Sequence, residues 1–273
     1  MAAMEEQLIR LFQVDAFAST PFHGNPAAVC ILDVQKDERW MAHVAAEMNL
    51  SETAFLSLQT DGYGLRWFTP TKEVSLCGHA TLASAHILWE EGLVSDQQEI
   101  NFTTLSGPLI AKRKGKQIQL DFPARMVEPT ESNVSINEAL GAVPVSTNRY
   151  DVPNGTIYLL EYQSETIVRE LKPDFKRLSE TDGRAIIVTG KSDSDEQDFV
   201  SRYFAPAVGI DEDPVTGSAH CYLAPYWSTK IGKTDLIGFQ ASQRNGYVRC
   251  RHDKNRVYLE GSAITIFKGT LLA

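Results

Sequence analysis

The sequence predicts an α+β protein of two pseudo-symmetric lobes, each a mostly antiparallel β-sheet or barrel wrapped around one central helix. Strand-like segments outnumber helices, and the order of motifs in the first half recurs in the second. RWFTP (66–70) is followed by Cys77-Gly78-His79, and RYFAP (202–206) is followed by Thr216-Gly217-Ser218. The recurrence predicts a strand leading to a helix that starts at a glycine, once in each lobe.

The first half opens with a hairpin pattern, in which two apolar segments flank a turn. The segments are 8–17 and 27–32, and the loop between them contains Pro21, Gly24, Asn25 and Pro26. Residues 37–48 form a predicted helix, because their apolar side chains recur on one helical face.

The rest of the first half alternates short strands with a second helix. Strands are predicted over 53–58 and 65–70, and an alanine-rich helix over 80–91 is opened by Cys77-Gly78-His79 and stopped by Gly92. Three more strands are predicted near 99–103, 108–112 and 117–121.

The second half repeats this order. A strand over 156–162 follows Asn154-Gly155, a short helix is predicted over 174–180, and a final strand covers 263–271. Prolines between 123 and 129 mark a linker. We therefore expect lobes of 1–125 and 126–262, with 263–273 returning to the first lobe and the active site in the cleft between them.

Composition excludes several classes of partner. The chain of 273 residues has 26 Lys and Arg against 35 Asp and Glu, a net charge of −9, which disfavours nucleic acid and anionic membranes. Its four cysteines lack metal or disulfide spacing, and no apolar segment is long enough to span a membrane. These features predict a cytoplasmic protein.

The two glycine helix starts predict an anion site. Unpaired backbone N–H groups and the positive end of the helix dipole both favour a negative ligand there. Gly78 and Gly217 each permit a tight turn into a helix, and for either glycine alone this purely structural role is the better interpretation. As a pair in a repeat, they indicate a site for one small carboxylate.

Four segments resemble the signatures of the PhzF-like family, which shares the two-lobed fold of diaminopimelate epimerase. They are 15–29, 49–55, 66–83 and 211–220, and the resemblance extends from Leu8 to the final strand. It is strongest to the phenazine biosynthesis-like domain-containing proteins. The resemblance implies an isomerase that works without a cofactor on a small, possibly cyclic carboxylate, and a homodimer.

The resemblance also implies site residues. Glu52 matches the general acid/base, His79 and Asp213 match polar catalytic residues, and Ser218 matches a hydroxyl that holds the substrate carboxylate. Other residues expected to bind substrate are Asn25, Gly78, Gly217, Cys77 and Thr216.

Each assignment has a competing structural interpretation. Glu52 is solvated in the simplest case, but its place between an apolar helix and strand predicts partial burial, which suits proton transfer. His79 is expected to stay neutral beside a positive helix end. Asp213 caps a turn near Thr216 as readily as it serves catalysis, and Ser218 bonds backbone groups of its helix in the alternative.

The two helix starts differ from those of epimerases with this fold, where a cysteine precedes each glycine. Here the positions hold Cys77 and Thr216, and a threonine hydroxyl does not replace a thiolate base. A one-base proton shift by Glu52 is therefore favoured over a racemase that uses Cys77. The helix start lowers the pKa expected for Cys77, although a buried, inert thiol is the better interpretation.

A third possibility is an interaction protein that has kept the fold and lost or narrowed the chemistry. The sequence has no HExxH, GxSxG or Walker motif, and Gly62-x-Gly64 lacks the third glycine of a dinucleotide site. Neither a metal nor an organic cofactor is predicted.

Overall fold

A computed structural model describes residues 9–272, and the chain divides into two compact units. The first unit runs to Leu120 and resumes at Gly261, and the second is Asp121–Glu260. The boundary therefore lies a few residues before the predicted one, and the final strand is part of the first unit. Leu8, where the first predicted strand begins, and Ala273, the last residue expected to return to the first lobe, lie outside the described residues.

Strands dominate both units, with fewer helices. In chain order the strands are β1 (Ile9–Ala16), β2 (Asn25–Leu32), β3 (Glu52–Gln59), β4 (Gly62–Phe68), β5 (Glu73–Val74), β6 (Ile100–Thr104), β7 (Gly107–Lys114), β8 (Gln117–Pro123), β9 (Glu128–Pro129), β10 (Ser146–Val152), β11 (Gly155–Glu161), β12 (Gly183–Lys191), β13 (Phe199–Phe204), β14 (Asp235–Gln240), β15 (Gly246–Asp253), β16 (Arg256–Gly261) and β17 (Ala263–Leu271). The helices are α1 (Glu38–Met48), α2 (Gly78–Glu90), α3 (Val134–Leu140), α4 (Glu165–Glu170), α5 (Phe175–Ser179) and α6 (Gly217–Ile231), with a 3-10 turn at Pro206–Val208.

The strand pairings repeat from one unit to the other. In the first unit β1–β2 is antiparallel, β2–β3 parallel, β3–β4 antiparallel, β4–β6 parallel, and β6–β7 and β7–β8 antiparallel. In the second unit β10–β11, β11–β12, β12–β13, β13–β14, β14–β15 and β15–β16 follow the same order of directions. The predicted repeat is thus a repeat of topology, and β17 closes the first unit by pairing antiparallel with β1.

The matching strands β4 and β13 each contain an arginine that makes the same contacts. Arg66 Nε donates to Glu73 Oε1 at 2.6 Å, and its guanidinium lies over the Phe68 ring. In the second unit Arg202 Nε donates to Glu212 Oε1 at 2.7 Å over the ring of Phe204. The RWF and RYF segments are therefore similar in their side-chain contacts as well as in their sequences.

The predicted hairpin is confirmed, with one shift at its turn. Asn25 and Pro26, expected in the loop, are the first residues of β2, and Asn25 pairs with Ala16. Gly24 makes the turn at φ +68°, and a Cβ there would lie 2.2 Å from the Ala16 carbonyl oxygen. Only glycine suits this position.

The helices follow local signals. Asp37 caps α1 by accepting a hydrogen bond from Trp40 N at 2.8 Å, and Asn49 ends it in the left-handed conformation. Its buried side chains are Met41, Val44 and Ala45, the face that the apolar spacing predicted.

The helices α2 and α6 are the central helices of their units, and most of their residues are buried. α2 packs on β1 and β2, and α6 packs on β14 and β15. This confirms the predicted α+β arrangement of a sheet around a central helix. No helix within residues 9–272 has the length and apolar character needed to cross a membrane.

Candidate active site

The first unit brings together four of the predicted site residues at the start of α2. Glu52 is the first residue of β3, whose parallel pairing with β2 places it opposite Ala27. Cys77 is the N-cap of α2 without a capping side-chain bond, and His79 is the second residue of the helix.

His79 is the centre of this group. Its Nε2 lies 3.2 Å from Glu52 Oε2, and its Nδ1 lies 3.2 Å from the Asn25 amide nitrogen and 3.6 Å from Cys77 Sγ. The side chains of His79 and Glu52 are only 6% and 12% exposed. The partial burial predicted for Glu52 is therefore confirmed, and its carboxylate has a cationic partner when His79 is protonated.

The charge of His79 differs from the prediction. Burial opposes protonation of the ring, but the Cys77 sulfur and the Glu52 carboxylate outweigh it, so the pKa of His79 is raised well above its ordinary value. The contacts of the ring with the Cys77 sulfur and the Glu52 carboxylate thus oppose the effect of the helix end, which by itself would favour the neutral imidazole that we expected.

Cys77 is also unlike the reactive thiol that a helix start favours. Burial, followed by the nearby Glu52 charge, raises the pKa of the Cys77 thiol from 9.0 to about 11. The expected lowering is wrong, because removal from water outweighs the helix end. Cys77 is a buried, protonated thiol at neutral pH, as the alternative interpretation held.

The second unit brings together Asp213 and Thr216 before α6. The Thr216 hydroxyl donates to Asp213 Oδ2, so the contact expected for a capped turn is present, and a catalytic role for Asp213 stays a prediction. Thr216 is the N-cap of α6 but its side chain makes no capping bond, as with Cys77 at α2. Both helix starts therefore keep their first N–H groups uncapped by the N-cap side chain.

Gly217 is the buried first residue of α6, and Ser218 next to it is exposed. Gly78 occupies the matching buried position of α2. The Ser218 hydroxyl is exposed in the first turn of α6, and its contact with an anion stays a prediction.

Gln240 holds the turn that enters α6, although no sequence pattern singles it out. It is fully buried at the end of β14, and its Oε1 accepts from Thr216 N at 2.8 Å. Its Nε2 donates to the Asp213 carbonyl at 2.7 Å and to the Thr216 hydroxyl at 3.1 Å. One amide thus holds both ends of the turn that enters α6.

Comparison with known proteins places the chain among related sequences over nearly its whole length. The family model described as phenazine biosynthesis-like protein matches residues 14–269. An uncharacterized isomerase from Halalkalibacterium halodurans is 52% identical over 96% of this chain and 98% of its own. The phenazine biosynthesis-like domain-containing protein 2 of Mus musculus is 41% identical over 96% of this chain and 99% of its own.

Solved structures agree with these matches. The crystal structure of a PhzF-family phenazine biosynthesis protein from Enterococcus faecalis has a TM-score of 0.90 and 40% identity, covering 97% of this chain and 99% of that one. A probable proline racemase from Agrobacterium radiobacter K84 shares the fold alone, with a TM-score of 0.65 and 10% identity over 96% of this chain and 92% of that one. The predicted resemblance and fold class are confirmed, and the comparisons support an isomerase.

Proposed function

Because the chain belongs to the phenazine biosynthesis-like protein family, we propose that it is a cofactor-independent isomerase that shifts a proton within a small carboxylate. Glu52 is the general acid/base. The observation that carries this proposal is the buried contact of 3.2 Å between His79 Nε2 and Glu52 Oε2, which orients the carboxylate. The chemistry is that of a carboxylate held ready to accept a proton.

In the proposed reaction, Glu52 takes a proton from a carbon next to an activating group. The electron pair of the broken C–H bond delocalises into the conjugated substrate, and Glu52 returns the proton to another carbon on the same face. A positioned acid/base contributes about 10² to 10⁴ in rate to such a step. His79 holds the Glu52 carboxylate in place and supplies a positive charge beside the developing negative charge.

An anion-binding role is assigned to each of the two helix starts, that of α2 and that of α6. Their backbone N–H groups and helix dipoles favour a carboxylate, which a protein of net charge −9 does not attract by its overall charge. Ser218 adds an exposed hydroxyl, while Gly78, Gly217 and Thr216 place the backbone. Asp213 as a second catalytic group and the homodimer inferred from the resemblance stay predictions.

A racemase that uses Cys77 as its base has less support. With a pKa of about 11, the Cys77 thiol is almost entirely protonated at neutral pH, and the matching position of α6 holds Thr216. Two bases on opposite faces of a carbon are therefore not supplied by these two helix starts.

The test is incorporation of solvent deuterium into candidate cyclic and acyclic amino and hydroxy acids, followed by NMR. The proposal predicts exchange with the wild-type protein and loss of about 10² to 10⁴ in exchange rate for Glu52→Gln. Arg10→Gln is a matched surface control, because the ion pair of Arg10 with Asp33 is long, at 3.9 Å, and lies at the surface. Equal exchange by wild type and Glu52→Gln would refute the role of Glu52.

A further inference from the structure

His79 and two of the side chains that contact it, Glu52 and Cys77, also offer a set of metal-ligating atoms. One carboxylate oxygen of Glu52, the sulfur of Cys77 and a ring nitrogen of His79 all lie within 4.8 Å of one another. All three side chains are largely buried, and Glu52 is the most exposed of them. A sulfur, a nitrogen and an oxygen are the ligand types that Zn²⁺ takes in proteins.

The distances are close to those that one ion requires. Zinc bonds are about 2.3 Å to sulfur and about 2.0 to 2.2 Å to nitrogen or oxygen, so two ligands of one ion are at most about 4.3 Å apart. His79 Nε2 is already 3.2 Å from Glu52 Oε2 and 4.0 Å from Cys77 Sγ. If two of these ligand atoms are as far apart as 4.8 Å, they must approach by about half an ångström to bind the same ion. A small side-chain rotation is enough for that.

The surroundings of the three ligands are those of a metal site with an open position. The Asn25 side-chain amide lies against His79 Nδ1, with its nitrogen 3.2 Å away, so the ring is held with Nε2 towards Glu52. Rotation of this amide by 180° would turn its oxygen towards Nδ1 as the acceptor that a metal-bound histidine requires. Three protein ligands leave a fourth position of a tetrahedral ion for water or a substrate oxygen. The matching start of α6 holds Thr216 and Ser218, so the second unit lacks the thiol and the imidazole at these positions.

We propose that Glu52, Cys77 and His79 form an inhibitory binding site for a thiophilic divalent cation, of which Zn²⁺ fits the ligands best. This rests on the proposed function, because the cation engages the carboxylate that is assigned to proton transfer. Binding forms bonds from the ion to Cys77 Sγ, His79 Nε2 and Glu52 Oε2. The thiol proton and the Nε2 proton leave to solvent, and no electron changes hands.

Binding is tested directly with the full chain, freed of metal by a chelator and titrated with Co²⁺. A one-to-one complex with a sulfur-to-cobalt charge-transfer band, displaced by Zn²⁺, is expected for the wild type. Cys77→Ser should lose the band and weaken Zn²⁺ binding by at least about a hundredfold. Removal of a residue that only contacts a metal ligand already lowers metal affinity by up to about a hundredfold, and Cys77 is a ligand itself. Cys30→Ala is the matched control, because Cys30 is a buried thiol in the core against Met41 and Phe55.

Absence of the band in the wild type, or an unchanged band and affinity in Cys77→Ser, would overturn the inference. Circular dichroism checks that each variant is folded, and His79→Gln supplies a second ligand variant that must also weaken binding. Zn²⁺ should in addition stop deuterium exchange by the wild type at the concentration at which it binds.

The metal inference and the proposed function fail separately. If Glu52→Gln loses exchange but neither cation binds, the metal inference is wrong and the proton transfer stands. If both cations bind as expected but Glu52→Gln exchanges like wild type, the site binds metal and the proposed role of Glu52 is wrong.

Discussion

Replacing Gln240 by leucine should destabilise the second unit strongly. The side chain is fully buried and holds Thr216 N and the Asp213 carbonyl by hydrogen bonds of 2.8 and 2.7 Å. Leucine has a similar volume but leaves this buried donor and this acceptor without the amide, and each such loss costs about 1 to 3 kcal/mol. The expected decrease in the free energy of unfolding is therefore about 2 to 6 kcal/mol.

The assay is urea unfolding followed by far-ultraviolet circular dichroism, with the midpoint and slope compared between proteins. Gln243→Leu is the matched control, because Gln243 is exposed in the loop that follows β14. Its change should stay within about 0.5 kcal/mol, as for most surface substitutions. A Gln240→Leu variant that is as stable as Gln243→Leu would refute the assignment of Gln240 as the residue that holds the turn into α6.

Three further predictions concern the first unit. The raised pKa of His79 means that its protonation stabilises the fold fully below the ordinary histidine pKa of about 6.5 and that this contribution is lost as pH rises through the raised value. Nitrogen NMR of the His79 ring should show the imidazolium persisting above pH 7, and a ring that is neutral at pH 7 would contradict the ion pair. The raised pKa of the buried Cys77 thiol lowers its thiolate fraction about a hundredfold, so alkylation of Cys77 in the folded protein at pH 7 should be slow. Fast alkylation of Cys77 would contradict a buried, protonated thiol. Gly24→Ala should lower the free energy of unfolding by at least about 1 to 3 kcal/mol, because of the positive φ and the close Ala16 carbonyl, and an unchanged urea midpoint would show that the turn relaxes.

Much of the fold was predictable because its signals are local. Asp37 caps the start of α1 and Asn49 ends it, so the helix lies within the residues 37–48 that the apolar spacing predicted. The recurrence of RWF and RYF before a glycine helix start predicted two topologically similar units. This succeeded because each motif makes its contacts with residues near it in the chain, as Arg66 does with Glu73. Residues near in sequence thus specified the elements and their order.

The sequence singled out residues that the structure brings into contact at the start of α2, but their contacts could not be predicted from spacing. Asn25, Glu52 and His79 are far apart in the chain, and the β2–β3 pairing and the start of α2 bring Glu52 and Asn25 to opposite nitrogens of one ring. The charge of His79 depends on that direct contact, which spacing alone does not show. Gln240 was missed for the same reason, since a glutamine at a strand end carries no local signal for the partners it meets 24 to 27 positions earlier.

The central claim is that Glu52, not Cys77, transfers the proton. The most direct measurement is the rate of solvent deuterium incorporation into a turned-over carboxylate by Glu52→Gln and by Cys77→Ala, each relative to wild type. We predict a loss of about 10² to 10⁴ for Glu52→Gln and less than about tenfold for Cys77→Ala. An inactive Cys77→Ala beside an active Glu52→Gln would contradict the account and indicate thiol chemistry at the start of α2.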